Sequence, residues 1–240
     1  MKITAVLGSP SKDGNTGVLA REVLKGAKDS GADIEEIFLA EHKIEFCRGC
    51  ISKDIDNMCM STGECVINDD VNFLREKLYQ SDGIVLASPS YGLSETARMK
   101  NFLIDRIGMF TVYTSRFAGK YFAGVSTCGA MGAKKVAKSL AEHYVTGFHG
   151  RGYMSGYLGV KIAYDRIENN QEALKNAYKL GEKLADDIKK KRKYPFQKLF
   201  DRLLTILVVR KVITNNIYEN KNGRMKSVYE DLVSREIIQV

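Results

Sequence analysis

Short runs of apolar residues recur along the chain and alternate with segments whose apolar residues follow helical spacing. Each run has the length of a strand that is buried on both faces of a parallel sheet. The runs predict five strands, at residues 3–7, 34–39, 83–89, 121–127 and 157–164. The segments between and after the strands predict amphipathic helices, among them 94–109 and 171–193.

Strand and helix alternate five times in this pattern, which is typical of a doubly wound α/β fold. The strand order that we expect for such a five-stranded parallel sheet is 2-1-3-4-5. Residues 1–193 are predicted to form this domain, and residues 194–240 are predicted to form a helical C-terminal extension.

The extension carries large apolar residues that a finished five-stranded domain does not need for its own core. They include Phe196, Leu199, Leu203, Leu207 and Ile213 at helical spacing. Because monomers seldom expose a wide contiguous apolar surface, we expect the extension to mediate homo-oligomer formation. Folding back as a lid is the alternative.

The net charge of +8 comes entirely from residues 189–240, which contain 13 Lys or Arg and 5 Asp or Glu. Residues 1–188 contain 24 of each class, so the main domain has no basic excess for a nucleic-acid groove. No apolar run approaches the roughly 20 residues of a membrane-spanning helix, and no signal peptide is apparent. These features predict a cytoplasmic protein without a membrane span.

The loop after the first strand, at residues 8–16, reads Gly-Ser-Pro-Ser-Lys-Asp-Gly-Asn-Thr. Its small and hydroxyl-bearing residues suit a phosphate cradle at the start of a helix. It lacks both the Lys-Ser/Thr pair of nucleoside-triphosphate loops and the G-x-G-x-x-G of dinucleotide loops, which favours a terminal monophosphate. A strand-to-helix turn without a ligand is the alternative.

Two further loops of unusual composition, at residues 88–93 and 126–132, follow the third and fourth strands. In the expected strand order, the carboxyl ends of these strands and of the first strand open onto one crevice. The three loops should therefore meet there. The backbone amides, the glycines and Tyr91 of the two later loops suit a flat heteroaromatic ring.

These residues resemble the NAD(P)H-dependent FMN reductase and iron–sulfur flavoprotein families of the flavodoxin-like superfamily. The resemblance rests on Gly8-Ser-Pro-x-x-x-Gly14-Asn15-Thr16, on Cys65-Val-Ile-x-Asp69-Asp70, and on Ser88-Pro89-x-Tyr91-Gly92 followed by Met99-Lys100 and Asp105-Arg106. It covers about residues 1–190 and implies a flavodoxin-like fold that binds FMN. The chain departs from the pattern at Ser11, where a basic residue is common, and at Cys128, where Gly is usual.

The resemblance implies two sets of cofactor-binding residues. The FMN phosphate would be held by Ser9, Ser11, Asn15 and Thr16. The isoalloxazine ring would be lined by Pro89, Ser90, Tyr91 and Gly92, with Thr127, Cys128 and Gly129 at its other edge. Because a flavin carries the reactive atoms itself, no protein side chain is expected to act as a catalytic acid or base.

Four of the five cysteines lie in the long connection between the second strand and the next helix. They are spaced Cys47-x2-Cys50-x8-Cys59-x5-Cys65. Four thiolates in one connection can hold a [4Fe–4S] cluster or a tetrahedral zinc ion, or they can remain free thiols. In the iron–sulfur flavoproteins that the chain resembles, two residues separate the second and third cysteines, whereas eight residues separate Cys50 from Cys59 here. Because of this difference, all three alternatives stay open.

Three functional hypotheses follow. The leading one is an FMN-dependent oxidoreductase that takes hydride from NAD(P)H and reduces a flavin, a quinone or a similar small-molecule acceptor. The alternative is an electron carrier, in which FMN and an iron–sulfur cluster pass electrons between redox protein partners. The third is a redox-sensing module that uses the cysteines and the basic extension.

Overall fold

The computed structural model describes residues 1–50 and 58–239, so residues 51–57 of the predicted cysteine connection lie outside the described part. The centre of the fold is a parallel sheet in the order β2-β1-β3-β4-β5, which confirms the predicted order. Its strands, β1 to β5, are Lys2–Leu7, Asp33–Phe38, Gly83–Ala87, Tyr121–Cys128 and Tyr153–Lys161.

The described residues contain ten α-helical segments. In chain order, α1 to α10 are Asn15–Asp29, Cys59–Thr62, Val71–Tyr79, Ala97–Lys100, Gly108–Thr114, Ala133–Glu142, Gln171–Lys189, Leu199–Leu204, Arg210–Glu219 and Lys226–Ser234. Two π-helical segments, Asn101–Arg106 and Thr205–Val209, join α4 to α5 and α8 to α9.

The helices cover both faces of the sheet, and each face has its own hydrophobic core. Leu19, Val23 and Leu184, from α1 and α7, belong to the core on one face. Leu74 and Leu140, from α3 and α6, belong to the core on the other. This double cover explains why β1, β3 and β4 are almost continuously apolar and buried.

The bounds of most predicted elements shift by a few residues, and two elements illustrate the reasons. The fifth strand was expected at residues 157–164, but it begins at Tyr153, opposite Tyr121, and ends at Lys161. Most of its residues are half-buried because it is an edge strand, so its apolar pattern marks its start poorly. The predicted single helix at 94–109 is in fact α4, a π-helical segment and α5, and it continues to Thr114.

The C-terminal extension contributes to a third hydrophobic core. In this core, Ile217, Met225 and Leu232 pack with Met58 of the cysteine connection and Phe110 of α5. The extension is therefore joined to the domain along α5. No helix among the described residues has the length and apolar character needed to cross a membrane.

Candidate functional site

The loop after β1 and the first turn of α1 form one wall of a crevice at the carboxyl end of the sheet. Gly14 precedes α1 in an extended conformation, and no side chain caps the helix. Since the first backbone amides of a helix have no partner within the helix, this N-terminus is suited to an anion. Ser9 and Thr16 are buried beside it, and the Ser9 hydroxyl accepts a hydrogen bond from the amide of Ser11 at 3.3 Å.

Thr16 is held by a contact to the far side of the crevice. Its hydroxyl lies 2.6 Å from the hydroxyl of Thr127 near the end of β4, and both side chains are buried. One hydroxyl hydrogen is used between the two oxygens, so the pair retains a second hydrogen that can be donated to an anion. This contact joins the first and third of the predicted loops.

The side chain of Asn15 contacts the loop after β5. Its side-chain nitrogen donates to the carbonyl of Asp165 at 3.0 Å, and its side-chain oxygen accepts from the amide of Ile167 at 3.0 Å. The side chain therefore ties the loop after β5 to the start of α1. The backbone amide of Asn15 belongs to the first turn of α1.

The basic side chains nearest to this loop form ion pairs with carboxylates. The Lys12 ammonium lies 2.8 Å from Glu41, and the Arg21 guanidinium pairs with Glu36 and Asp13. A phosphate at the start of α1 would therefore be stabilised by amides and hydroxyls more than by an unpaired cation.

The loop after β3 forms a tight turn in the crevice. Tyr91 and Ser94 exchange both backbone hydrogen bonds, at 2.9 and 3.1 Å, and the two residues between them, Gly92 and Leu93, have φ values of 58° and 65°. Two consecutive positive φ values define a type I′ turn. Leucine seldom adopts this conformation, so the backbone is strained at Leu93.

The turn leaves apolar groups facing the solvent at the crevice. Tyr91 is 58% exposed and Leu93 is 46% exposed, and Met131 of the loop after β4 is 69% exposed. A flat ring bound here would cover these side chains. The sequence indicated Tyr91 as a ring-binding residue, but it did not single out Leu93 and Met131 as exposed apolar side chains of the same loops.

Ser90 connects the second loop to the third. Its amide donates to the Thr127 carbonyl at 2.8 Å, while its hydroxyl oxygen is buried and has no hydrogen-bond partner among the described residues. Gly132, with φ of 102°, passes so close that an added Cβ would lie 2.6 Å from that oxygen. A buried hydroxyl without a partner is costly, so Ser90 is well placed to bond a polar atom of a ligand.

Pro89, Cys128 and Gly129 complete the set of predicted ring-binding residues. The Pro89 carbonyl accepts a hydrogen bond from the Ser88 hydroxyl at 3.0 Å. Cys128 ends β4 and is buried, and its carbonyl accepts from the Ile162 amide at 2.8 Å. Gly129 follows at the start of the third loop. The structure thus brings all three predicted loops to one crevice.

The four cysteines of the long connection line a second site. Cys47, Cys50, Cys59 and Cys65 surround one cavity together with apolar side chains, among them Met109. Burial, and then the proximity of the other three thiols, raises the pKa of Cys59 to about 11. In the absence of a metal, this thiol is therefore protonated at neutral pH, and binding a metal must release its proton.

A buried ion pair supports the cysteine site. The Arg106 guanidinium donates to both carboxylate oxygens of Asp69, at 2.7 and 3.0 Å, and neither side chain is exposed. It also donates to the Cys65 sulfur at 3.3 Å and to the Glu45 carbonyl. Burial opposes ionisation of Asp69, but the hydrogen bonds from Arg106 and from the amides of Glu45 and Val71 outweigh it and lower the pKa of Asp69.

Sequence reasoning missed this pair. Asp105 is the neighbour of Arg106 in the chain, but the partner of Arg106 is Asp69, 37 positions away. Asn101 and Arg106, at the two ends of the π-helical segment, both donate to the Glu45 carbonyl. The π-helical geometry thus places both donors on the cysteine connection, an irregularity that apolar spacing does not reveal.

The same helical segment connects the two sites. Thr96, at the N-terminus of α4, donates its hydroxyl hydrogen to the Gly8 carbonyl of the loop after β1 at 2.7 Å. Arg106, ten residues later, contacts Cys65.

Four thiols that line one cavity match the donor set of a [4Fe–4S] cluster and that of a tetrahedral zinc ion alike. Among residues 1–50 and 58–239, no group of three or more His, Cys, Asp or Glu side chains is placed closely enough to hold a metal ion.

Comparisons with known proteins identify the family of the chain. The family model for NADPH-dependent FMN reductase matches residues 1–165. An iron–sulfur flavoprotein of Archaeoglobus fulgidus is 33% identical over 80% of this chain and 82% of its own length. A second one, from Methanocaldococcus jannaschii, is 31% identical over 79% of this chain and 98% of its own.

Among solved structures, a NAD(P)H:quinone oxidoreductase from Methanothermobacter marburgensis superposes with a TM-score of 0.57. The match covers 77% of this chain and 96% of that one, at 15% identity. At this identity the likeness concerns the fold alone.

Proposed function

Because the chain belongs to the NADPH-dependent FMN reductase family, with iron–sulfur flavoproteins as relatives, we propose that it is an FMN-dependent oxidoreductase that takes hydride from NAD(P)H. The electron acceptor that we propose is a flavin, a quinone or a similar small molecule. The observation that carries this proposal is the convergence of three loops on one crevice, where the N-terminus of α1 has no side-chain cap and the buried Ser90 hydroxyl has no partner among the described residues.

The first loop would bind the FMN phosphate. Ser9, Ser11 and Thr16 offer hydroxyls, and the first amides of α1 offer N–H donors. Asn15 contributes its backbone amide, while its side chain positions the loop after β5.

The second and third loops would hold the isoalloxazine ring. Pro89, Tyr91 and Gly92 line one side of its position, Thr127, Cys128 and Gly129 lie at the other edge, and Ser90 supplies a hydroxyl between them. The exposed Tyr91, Leu93 and Met131 leave an apolar surface over which a nicotinamide ring can stack.

FMN, when bound, supplies the hydride-accepting atom and passes electrons to the acceptor. The residues of this chain orient the ring and exclude water from one of its faces. No side chain needs to act as an acid or a base, and the described histidines lie outside the three crevice loops.

A second function is favoured by the shared cavity of the four cysteines. Cys47, Cys50, Cys59 and Cys65 would hold a [4Fe–4S] cluster, which supplies one-electron transfer when bound. Arg106 would orient Cys65 and place positive charge beside its sulfur. The chain would then carry electrons between a flavin site and a redox protein partner.

The experiment that separates the two functions is anaerobic reduction of the purified protein. NADH or NADPH is mixed with FMN-loaded protein, and the flavin absorbance is followed. Prompt bleaching supports the reductase. If reduction occurs only with an added redox protein, the carrier function holds instead. Protein that retains no FMN after purification and reconstitution contradicts both.

The C-terminal extension supports a further part of this proposal, which is self-association in the cytoplasm. Nine large apolar side chains of the extension are at least 42% exposed, a surface that a second copy of the chain would cover. They are Phe196, Leu199, Phe200, Leu203, Leu204, Ile206, Leu207, Val208 and Val212. The lid alternative is less favoured, because the extension packs along α5 rather than over the crevice loops.

A further inference from the structure

A cavity of about 370 Å³ lies between the segment that precedes β5 and the C-terminal extension. Its wall includes four basic side chains, Arg151, Lys193, Arg202 and Arg210, and no Asp or Glu among the described residues that line it. The volume falls in the range of small-ligand sites. We propose that this cavity binds an anion that carries a phosphate group.

The charges in the cavity are uncompensated. Arg151 donates to the backbone carbonyls of Tyr194 and Gln197, which are neutral acceptors. In the described part of the chain, Lys193, Arg202 and Arg210 form no ion pair of their own. Burial, and then the charge of Arg202, lowers the pKa of Arg151. A bound dianion would remove this repulsion between like charges.

The wall also supplies rings and apolar surface beside the cations. The Arg151 guanidinium lies 5.2 Å from the centre of the Tyr153 ring, and Phe148 and Ile206 line the same cavity. A ligand that joins a phosphate to an apolar or aromatic group would therefore match the wall better than inorganic phosphate alone.

The cavity is separate from the crevice of the proposed function. It adjoins Tyr153, where β5 begins, whereas the crevice loops follow the ends of β1, β3 and β4. With a rise of about 3.3 Å per residue, a strand of the length of β4 places the two ends of the sheet about 25 Å apart. A ligand in the cavity cannot contact a flavin in the crevice, so the site would serve anchoring or regulation.

The phosphate group has two sources, a soluble ligand and an anionic lipid headgroup. The exposed apolar side chains Leu203 and Leu207 lie on the helical segment that also contributes Arg202 and Arg210 to the cavity. A lipid bilayer could engage both features in a chain whose exposed apolar face is not covered by a second copy. The two sources share the same chemistry in the cavity, and separate probes distinguish them.

The test uses the full-length, FMN-loaded protein, so that the flavin occupies the other phosphate position. Pyrophosphate is titrated calorimetrically, and in a second arm the protein is sedimented with vesicles of equal parts phosphatidylglycerol and phosphatidylcholine or of phosphatidylcholine alone. The variants Arg202→Gln and Arg210→Gln each remove one cation of the cavity. Lys175→Gln removes one charge from the exposed surface of α7 and is the matched control.

We expect each cavity variant to weaken binding by about tenfold or more, with the control unchanged. If the protein binds pyrophosphate and the two cavity variants weaken that binding, the ligand is a soluble one. If the protein binds only the vesicles with phosphatidylglycerol and the cavity variants weaken that binding, the ligand is a lipid headgroup. If Lys175→Gln weakens binding as much as the cavity variants do, the net charge of the protein alone explains the binding, and the proposed site is wrong. Binding to neither probe would overturn it as well. If the protein retains no FMN, the proposed function fails, yet the variants still test the cavity.

Discussion

The hydroxyl of Thr16, in the first turn of α1, lies 2.6 Å from the hydroxyl of Thr127 near the end of β4. The two residues are 111 positions apart and both are buried. Their contact joins the loop after β1 to the loop after β4, alongside the hydrogen bonds from Ser90 to Thr127 and from Thr96 to Gly8 that join the other parts of the crevice.

Replacing Thr16 by Val is expected to remove this contact and a hydroxyl for the FMN phosphate. FMN affinity should fall by about tenfold or more, and the free energy of unfolding should fall by about 1–2 kcal/mol. The quenching of FMN fluorescence and urea unfolding measure the two effects. Thr4→Val is the control, because it breaks the buried 2.7 Å pair of Thr4 with Ser81 outside the crevice. Unchanged FMN affinity in Thr16→Val would refute the assignment of Thr16.

Gly132→Ala is expected to distort the ring-binding part of the crevice. The new Cβ would lie 2.6 Å from the Ser90 hydroxyl oxygen, at a φ of 102°. Gly119→Ala is matched to it, since Gly119 also has a positive φ, of 79°, but has open space around it. Both should lose about 1 kcal/mol of stability to backbone strain, whereas only Gly132→Ala should weaken FMN binding. Equal FMN affinities in the two variants would show that Ser90 and Gly132 lie outside the flavin site.

Asp69→Asn should destabilise the metal-free protein by about 3 kcal/mol near neutral pH, because it leaves the buried charge of Arg106 unpaired. The pKa of Asp69 is lowered in the folded state. Its pairing therefore stabilises the fold above the ordinary carboxyl pKa of about 3.9, and this contribution is lost as the pH falls through the lowered pKa.

The difference in unfolding free energy between wild type and Asp69→Asn should accordingly shrink in acid, as measured by urea unfolding at several pH values. Asp186→Asn, which disrupts exposed pairs with Lys190 and Arg192, should change stability little at any pH. A gap between wild type and Asp69→Asn that stays constant into acid would contradict the role of Asp69.

Cys59→Ala is expected to abolish metal binding if the connection holds a cluster. Protein made and purified without oxygen should contain iron and sulfide at about four each per chain, and the variant should contain neither. Cys128→Ala is the matched control, because Cys128 is the one cysteine outside the connection. Zinc in place of iron would favour the tetrahedral site. If the protein contains no metal, the four cysteines are free thiols, and the hypothesis of a simple FMN reductase is favoured.

Leu203→Glu and Leu207→Glu should dissociate the proposed oligomer, since each places a charge on the exposed apolar face of the extension. Asn215→Glu adds the same charge to an exposed position of α9 and should leave the assembly intact. Light scattering at micromolar concentration measures the mass. An intact wild-type protein that is already monomeric would rule out self-association through this surface.

The amino-acid sequence by itself determined the sheet and the position of the crevice. Apolar runs such as that of β3 are local patterns, and the alternation of strand and helix leaves few topologies open. The loop at residues 8–16 could be predicted as a phosphate site because such a site depends on small residues and backbone amides next to one another in the chain. The four cysteines were also evident as a group, because they lie close to one another in the chain.

The tertiary structure alone decided the features that depend on residues far apart in the chain. Arg106 had a neighbouring carboxylate in Asp105, yet it pairs with Asp69, because the π-helical segment turns it toward the cysteine connection. The hydrogen bonds that the Asn15 side chain makes with the backbone of Asp165 and Ile167, about 150 positions away, were likewise not visible in the sequence. Sequence spacing does not encode such pairings, since each depends on which surfaces meet when the helices pack on the sheet.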